Sequence, residues 1–228
     1  MTGHAIVCGG SIGGCFAATA LMRAGWEVTV LERSATELSG RGAGIVTHAL
    51  LEAALDHVGA RTTDLGVRVA ERVAWNRSGV RVAVVPLSQV VTSWDRVHSS
   101  LRDLIPDDAY RLSRHVVGVR DSGSEAKAIL ADGTTVEGSV VVGADGIRSA
   151  LRGGVATANE PSWSGYVVWR TLAHEGDLRA GMSAADFEAF GFHLPAGMQA
   201  LGYPIAGPGN DLRPGHRRYN FVWYVPAS

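Results

Sequence analysis

The stretch AIVCGGSIGGCFAATALMRAGWEVTVLER, residues 5–33, decides the fold of this chain. It begins with a short apolar run at residues 5–8, which is typical of a parallel strand buried on both faces. After the glycines, apolar and small residues recur at helical spacing from Ile12 onward, and Gly25 follows as a helix-ending residue. A second apolar run then ends in the acid Glu32. This order predicts a strand, a glycine turn, a helix and a second strand.

The glycine turn between the first strand and the helix is suited to a pyrophosphate. Unpaired N–H groups and the helix dipole favour an anion at the start of a helix, and glycines let the backbone approach it. The match to G-x-G-x-x-G is imperfect, because Ser11 takes the second position between Gly9 and Gly14. Glu32 stands where an acid would accept hydrogen bonds from a ribose. We expect a site for an ADP moiety, and a purely structural glycine turn is the alternative.

Composition favours an intracellular enzyme domain. The 228 residues are 46% hydrophobic and carry a formal net charge of −1, which gives no basic surface for nucleic acid or an anionic membrane. Residues 5–22 are uncharged and approach the length of a membrane span, but glycines interrupt them and no basic segment precedes them. Cys8 and Cys15 lack metal-ligand spacing and indicate small buried side chains in a reducing compartment. We expect a cytoplasmic domain without nucleic acid, membrane or metal.

The chain does not continue as an NAD dehydrogenase would. Alternating apolar residues on both sides of residues 76–79 predict an antiparallel hairpin. Other short strands are expected around residues 115–121, 126–130, 134–137 and 139–142, and helices over 49–58 and near 94–104. The sequence therefore predicts a mixed α/β fold, in which a Rossmann-like βαβ domain carries a separate antiparallel sheet.

Several motifs spaced along the chain indicate a particular protein family. They are VCGGSIGG with LER, LERSATELSGRGAGIV at residues 31–46, TSWD at 92–95, GADGIRSALR at 143–152, SGYVVWR at 164–170 and RRYNFVWY at 217–224. Together they resemble the FAD-dependent aromatic hydroxylases of the p-hydroxybenzoate hydroxylase fold. Within that family, the resemblance is to 2,6-dihydroxypyridine 3-hydroxylase-like members, and it runs along nearly the entire chain.

The resemblance implies a set of residues that bind FAD. Glu32 would hold the adenosine ribose, Arg33 would lie by the adenine, and Arg41 would reach the phosphates or the flavin. Gly44 and Ile45 would lie where the backbone passes the isoalloxazine, and Asp145 would lie near the pyrophosphate and the nicotinamide donor. The full set is Gly9, Ser11, Ile12, Gly13, Gly14, Glu32, Arg33, Arg41, Gly44, Ile45 and Asp145.

Structural alternatives stand beside these roles. The alternative for Arg33, Arg41 and Arg148 is a solvated surface arginine. Asp145 could cap a helix that begins near Ile147, a role compatible with a place in the site.

The resemblance also implies the reaction. NADH or NADPH would reduce the flavin, and O2 would form a C4a-hydroperoxide that hydroxylates a phenol-like or hydroxypyridine-like ring. His48, three residues after Ile45, is our candidate for the base that helps to deprotonate the ring hydroxyl. A structural or exposed histidine is the alternative. Aromatic residues in the predicted sheet could line the substrate pocket or form ordinary core: Tyr166, Trp169, Tyr203, Trp223 and Tyr224.

Two entwined regions are expected rather than two consecutive domains. The FAD-binding part would comprise residues 1–65 and 92–155, and the substrate-binding sheet residues 66–91 and 156–228. Residues 158–161, which end in a proline, suit a crossover between them.

The resembled family has a second flavin motif of the form GDAAH…P, and this sequence contains none. The resemblance therefore implies the ADP half of a flavin site and a substrate sheet that is incomplete at its C-terminal end. The alternative to an active enzyme is a truncated or degenerate nucleotide-binding module without activity on its own. Exposed apolar surface is expected in that case, and with it a homo-oligomer or a complementing C-terminal chain.

Overall fold

The computed structural model describes residues 3–40, 43–123, 125–156, 160–178 and 180–227. Within these ranges the strands are β1 His4–Cys8, β2 Glu27–Leu31, β3 Gly44–Val46, β4 Val67–Trp75, β5 Arg81–Ser93, β6 Tyr110–Arg111, β7 Val116–Asp121, β8 Ala126–Leu130, β9 Thr135–Gly138, β10 Val140–Gly143, β11 Tyr166–His174, β12 Phe190–His193, β13 Gln199–Ile205 and β14 Arg218–Pro226. The helices are α1 Ile12–Arg23, α2 Ala49–Val58, α3 Trp94–Arg102, α4 Arg152–Val155, α5 Glu175–Leu178 and α6 Ala184–Phe187, and a 3₁₀ turn spans Pro208–Asn210.

A parallel sheet is built around the first strand, in the order β10-β1-β2-β6. Ile6 lies opposite Thr29 of β2 and Val141 of β10, so β1 is paired on both sides. This central position explains the unbroken apolar run that the sequence shows there. The predicted strand, turn, helix and strand are all present, and the mixed α/β fold is confirmed.

The parallel sheet shares a hydrophobic core with a three-stranded antiparallel sheet of order β7-β8-β9. The core residues come from both sheets and from the segment before α4: Ile6, Cys8, Leu31, Val116, Ala128, Leu130 and Leu151. Burial raises the pKa of Cys8 to about 12, with Asp145 adding to the increase, so Cys8 is a thiol that packs in the core.

The second large sheet has seven strands in the order β11-β14-β13-β12-β4-β5-β3. Its β4–β5 hairpin closes at residues 76–79, where the Asn76 side chain accepts hydrogen bonds from the N–H groups of Ser78 and Val80 at 2.9 and 3.0 Å. β5 is longer than the sequence pattern predicts, because its far end pairs with β3 rather than ending with the hairpin. A separate core lies on this sheet: Val67, Val69, Val91, Phe190, Tyr203 and Ile205.

The chain divides into two compact units. The first consists of Met1–Gly40, Leu55–Arg61 and His98–Ser162, and the second of Arg41–Ala54, Thr62–Val97 and Trp163–Ser228. Residues 43–54, 62–65 and 92–97, predicted to lie with the nucleotide part, fall in the second unit, where β3 pairs with β5. Residues 156 and 160–162, predicted to lie with the sheet, fall in the first unit. The assignment of one unit to FAD and the other to substrate stays a prediction. The predicted crossover at residues 158–161 lies largely outside the described residues.

The helix predicted near Ile147 instead begins at Arg152. A helix that began at Ile147 would use the N–H of Leu151 for the carbonyl of Ile147. That N–H instead points at Oδ2 of Asp145 at 3.4 Å, and Arg152 donates to the carbonyls of Gly146 and Ile147 at 3.0 Å each. The middle helix α3 also ends at Arg102, two residues before the predicted end. In the part of the chain that the structure describes, no helix has the length and apolar character to span a bilayer.

Candidate nucleotide site

Both backbone polar groups of Gly10, its N–H and its carbonyl, are hydrogen-bonded to side chains. Its N–H donates to Oε2 of Glu32 at 2.8 Å, and its carbonyl accepts from Nε2 of His98 and Oη of Tyr110, each at 2.9 Å. The thiol of Cys15 points at the same carbonyl from 3.2 Å. Because a carbonyl only accepts, Nε2 of His98 must carry a proton. These bonds fix the orientation of the turn that leads into α1.

Glu32 lies beside this turn because β1 and β2 are parallel neighbours and both end there. Its side chain is buried, and its second oxygen accepts the N–H of Ser34 at 2.8 Å. A carboxylate has about four acceptor positions, so two remain for hydroxyl groups of a ligand. The sequence placed Glu32 next to the glycine turn, and the structure brings them together. Its contact with a ribose stays a prediction.

Three glycines of the turn have different reasons to be glycine. Gly9 has a φ of +107°, and a Cβ there would collide with the carbonyl of Ala144. A Cβ on Gly14 would collide with the carbonyl of Gly9, so the helix can approach the turn only without a side chain there. Gly13 is exposed, and a Cβ on it would meet nothing within 4 Å. Gly9 and Gly14 therefore allow close backbone packing of the turn, whereas Gly13 leaves the surface at the start of α1 open.

That open surface is the N-terminus of α1. Ser11 is the N-cap residue, and the first helical bond runs from the N–H of Cys15 to its carbonyl at 2.9 Å. The N–H groups of Ile12, Gly13 and Gly14 then have no partner inside the helix, and the Ser11 side chain does not cap them. The first turn holds no acidic residue. Unpaired N–H groups and the positive end of the helix dipole make this position favourable for an anion.

The GADG segment lies against the same turn. The N–H of Ala144 donates to the carbonyl of Cys8 at 2.8 Å, which places this segment directly after β10 and beside Gly9. Asp145 accepts the N–H groups of Ala150 and Leu151 through Oδ2, at 2.8 and 3.4 Å. Asp145 thus shapes its own loop ahead of α4, which is close to the capping alternative. A role near the pyrophosphate remains compatible with this geometry.

The predicted arginines divide into two groups. Arg33 and Arg148 are exposed, and neither side chain has a hydrogen-bond or ion-pair partner among the residues the structure describes. Arg41 lies outside the described residues. Arg33 follows Glu32 directly and remains available to a ligand at the end of β2.

In the second unit, Gly44 and Ile45 belong to β3. Gly44 is buried, and its N–H donates to Oδ1 of Asn220 at 3.1 Å. The ring of Tyr203 lies against it, so a Cβ at Gly44 would be 2.5 Å from Cε2 of that ring. Gly44 is therefore glycine because an aromatic side chain takes the space. Its predicted place beside the isoalloxazine stays a prediction.

His48 has a structural role that the sequence did not predict. It immediately precedes α2, and its Nδ1 accepts the N–H of Leu51 at 3.2 Å. This is the bond that an N-cap side chain makes to the third residue of a helix. The same N–H also donates to the backbone carbonyl of His48 at 2.9 Å, so the ring nitrogen is the second acceptor of a shared hydrogen bond. The structure thus gives His48 a capping role, and its role as the base stays a prediction.

Sequence reasoning missed His98 and Tyr110. Both reach Gly10 from about a hundred residues away, since their separations along the chain are 88 and 100 residues. His98 stands in α3, and Tyr110 in a strand of only two residues, β6, which has no periodicity to reveal it. A buried polar residue in an otherwise amphipathic helix was the only available signal.

A comparison with protein families supports assignment to the FAD-binding proteins. Residues 163–228 match a family model described as FAD binding domain-like. A parallel sheet with a glycine turn, an uncapped helix start and an acid after the second strand is the arrangement of a dinucleotide-binding fold.

The chain is also similar to individual proteins of known activity or structure. The chain is 32% identical to 2,6-dihydroxypyridine 3-monooxygenase of Paenarthrobacter nicotinovorans, over 98% of this chain and 55% of that protein. The solved structure of 2,6-dihydroxypyridine-3-hydroxylase from Arthrobacter nicotinovorans matches with a TM-score of 0.88 and 32% identity, over 100% of this chain and 57% of that one. A structure of Klebsiella pneumoniae HpxO complexed with FAD and uric acid shares the fold, with a TM-score of 0.80 and 22% identity over 99% of this chain and 57% of that one.

These matches confirm the resemblance to the FAD-dependent aromatic hydroxylases that the motifs indicated. The chain spans about half the length of the curated relatives it matches.

The packing roles of the turn glycines predict opposite effects of two neighbouring substitutions. Gly14→Ala should lower the free energy of unfolding by roughly 1–3 kcal/mol, because the new methyl group meets the backbone of Gly9. Gly13→Ala should raise it by up to about 1 kcal/mol, because alanine is the better helix former and has open space. Urea unfolding followed by circular dichroism measures both. Equal effects of the two changes would contradict the assigned packing.

Proposed function

We propose that this chain binds FAD and forms part of a monooxygenase that hydroxylates a phenol-like or hydroxypyridine-like ring with NADH or NADPH and O2. The uncapped start of α1, held beside the Glu32 carboxylate by the Gly10 hydrogen bonds, is the observation that carries the proposal. The similarity to 2,6-dihydroxypyridine 3-monooxygenase along 98% of the chain supports the substrate class. The cytoplasmic location stays a prediction.

The residues present fit the ADP portion of FAD. The pyrophosphate would accept hydrogen bonds from the N–H groups at Ile12, Gly13 and Gly14, where the absence of a Cβ on Gly13 leaves room for it. Glu32 retains acceptor positions for the ribose hydroxyls. Arg33, exposed after β2, would lie by the adenine. The bound flavin would supply the chemistry of electron transfer and oxygen activation.

The polypeptide would bind the cofactor, orient the aromatic ring and exclude water from both. The Gly10 hydrogen bonds hold the phosphate-facing N–H groups in place before the cofactor arrives, so little ordering remains to be done on binding. In the second unit, the seven-stranded sheet would position the aromatic ring, and its aromatic residues would exclude water. His48, which caps α2, is the candidate for the base that helps to deprotonate the ring hydroxyl.

We also propose that the chain associates, with a second copy or with a complementing chain. Trp169 and Trp223 lie directly opposite each other on β11 and β14 and are 65% and 38% exposed, and Trp163 nearby in sequence is 62% exposed. Adjacent exposed tryptophans are typical of an interaction surface. Light scattering should give a mass above the 24.0 kDa of one chain, and Trp169→Ser should reduce it. A monodisperse monomer at all concentrations would contradict association with a second copy.

The FAD proposal is tested by titrating the flavin-free chain with FAD and following flavin fluorescence. The wild-type chain should bind saturably, and Gly13→Ala should weaken binding by about ten-fold or more, because the methyl group displaces a phosphate from the helix N–H groups. The same change should not lower the stability of the free chain.

Gly153→Ala is the matched control, since Gly153 is also an exposed helical glycine of the first unit with nothing within 4 Å of an added Cβ. Its FAD affinity should equal that of the wild type. Absence of saturable binding, or equal losses from both substitutions, would overturn the proposed site.

A further inference from the structure

The guanidinium of Arg102, at the end of α3, contacts several segments of the first unit at once. Its Cζ lies over the ring of Tyr110, 4.3 Å from the ring centroid. Nε and Nη2 donate to Oε1 of Glu37 at 3.3 and 3.1 Å. Nη1 and Nη2 also donate to the carbonyl of Ile105 and to Oδ1 of Asp107, at 2.8 and 2.7 Å. Because the side chain is only 15% exposed and all three nitrogens are hydrogen-bonded, the guanidinium is held in one position.

Tyr110 connects this guanidinium to the glycine turn. Its hydroxyl donates to the carbonyl of Gly10 at 2.9 Å, and burial raises the pKa of Tyr110, so the hydroxyl keeps its proton. The ring also takes the space beside Gly10, where an added Cβ would collide with Oη. Rotation of the ring would therefore break the hydrogen bond and the packing together. Arg102 restricts that rotation by stacking on the ring.

Glu37 connects the same guanidinium to residues 33–38, the segment that follows β2 and Glu32. This segment begins with Arg33, which the proposed function places beside the adenine, and its last residue, Leu38, is buried. The side chain of Glu37 is half-exposed, and its hydrogen bonds to Arg102 fix it against the rest of the unit. One guanidinium therefore contacts both chain segments that would hold the two ends of an ADP moiety.

We propose that Arg102 is a positioning residue of the FAD site. It acts through Tyr110 on the N–H groups that would bind the pyrophosphate, and through Glu37 on the segment that would lie by the adenine. This inference rests on the proposed function, because it takes the two ends of the ADP moiety as the ligand. Arg102 itself does not touch the cofactor. Without its guanidinium, FAD would have to order both segments on binding, and its affinity would fall.

The test is titration of the flavin-free chain with FAD, followed by flavin fluorescence. Arg102→Met keeps the apolar length of the side chain and removes the guanidinium, so it should weaken FAD binding by about five-fold or more. Arg102→Lys should not restore the affinity, because a lysine has no planar fork to stack on the ring and bind Glu37 together.

Arg81→Met is the matched control. Arg81 also forms ion pairs with two carboxylates, those of Glu71 and Asp186 at 3.1 and 2.6 Å, but it belongs to the second unit. Its replacement removes the same kind of interaction far along the chain from the glycine turn. The FAD affinity of this variant should equal that of the wild type.

A double-mutant cycle shows whether Arg102 acts through Tyr110. Tyr110→Phe removes the hydroxyl and keeps the ring. If the guanidinium positions that hydroxyl, Arg102→Met should weaken FAD binding much less in the Tyr110→Phe background than in the wild type. The loss that remains should be no larger than that caused by Glu37→Ala, which removes the other connection. A purely structural role would give independent losses that multiply in full.

A second measurement needs no ligand. The N–H of Ser11 belongs to the same peptide group as the carbonyl of Gly10, so its ¹⁵N signal reports the hydrogen bonds to that carbonyl. In the FAD-free chain, Arg102→Met should move this signal in the same direction as Tyr110→Phe does. Arg81→Met should leave it in place.

The outcomes separate the two proposals. Equal FAD affinity of the wild type and Arg102→Met, or losses that multiply in full, would overturn the positioning role and leave the FAD proposal standing. No saturable FAD binding by the wild type would overturn the FAD proposal, and an unmoved Ser11 signal would then overturn the role of Arg102 as well. If Arg102→Met does not fold, Arg102→Lys replaces it in every measurement, and wild-type affinity of that variant would overturn the role.

Discussion

The nucleotide site depends on one residue, Gly10, whose N–H and carbonyl are both hydrogen-bonded to buried side chains. Its N–H is held by Glu32 from β2, and its carbonyl by His98 from α3 and Tyr110 from β6. All three side chains are buried, so each bond is made in a low-dielectric environment where loss of a partner is costly. The turn cannot rotate without breaking several of these bonds together. The N–H groups at the start of α1 are therefore presented in a fixed direction.

Because the Gly10 hydrogen bonds fix the turn, the glycine motif at residues 9–14 can both pack against its neighbours and leave the start of α1 open to a ligand. Gly9 and Gly14 let the turn, the GADG segment and the helix touch through their backbones, and Gly13 leaves the helix start uncovered. Ser11 at the second position does not disturb the packing, and its side chain does not cap the helix. The departure from G-x-G-x-x-G is thus compatible with an open helix N-terminus.

The sequence correctly predicted the elements that depend on short-range sequence patterns. The β1–α1–β2 unit, α2 and the β4–β5 hairpin each have a clear period and a turn or cap within a few residues. It missed β3 and β6, which have three and two residues and exist because of distant pairing partners. His98 and Tyr110 were not predicted for the same reason, because their partner Gly10 lies 88 and 100 residues away along the chain. His48 shows a different limit, because its residue type suggested a base but did not reveal that its ring also caps α2.

The central claim is that the N–H groups at the start of α1 are the seat of a pyrophosphate. The most direct measurement is an ¹H–¹⁵N correlation spectrum of the labelled chain during titration with FAD. The amide signals of Ile12, Gly13 and Gly14 should shift saturably, while those of Gly123 and Gly133, in the β7–β8 and β8–β9 turns of the same unit, should stay in place. Unchanged signals at the three helix amides, with saturable shifts elsewhere, would show that FAD binds by another part of the chain and would contradict the account.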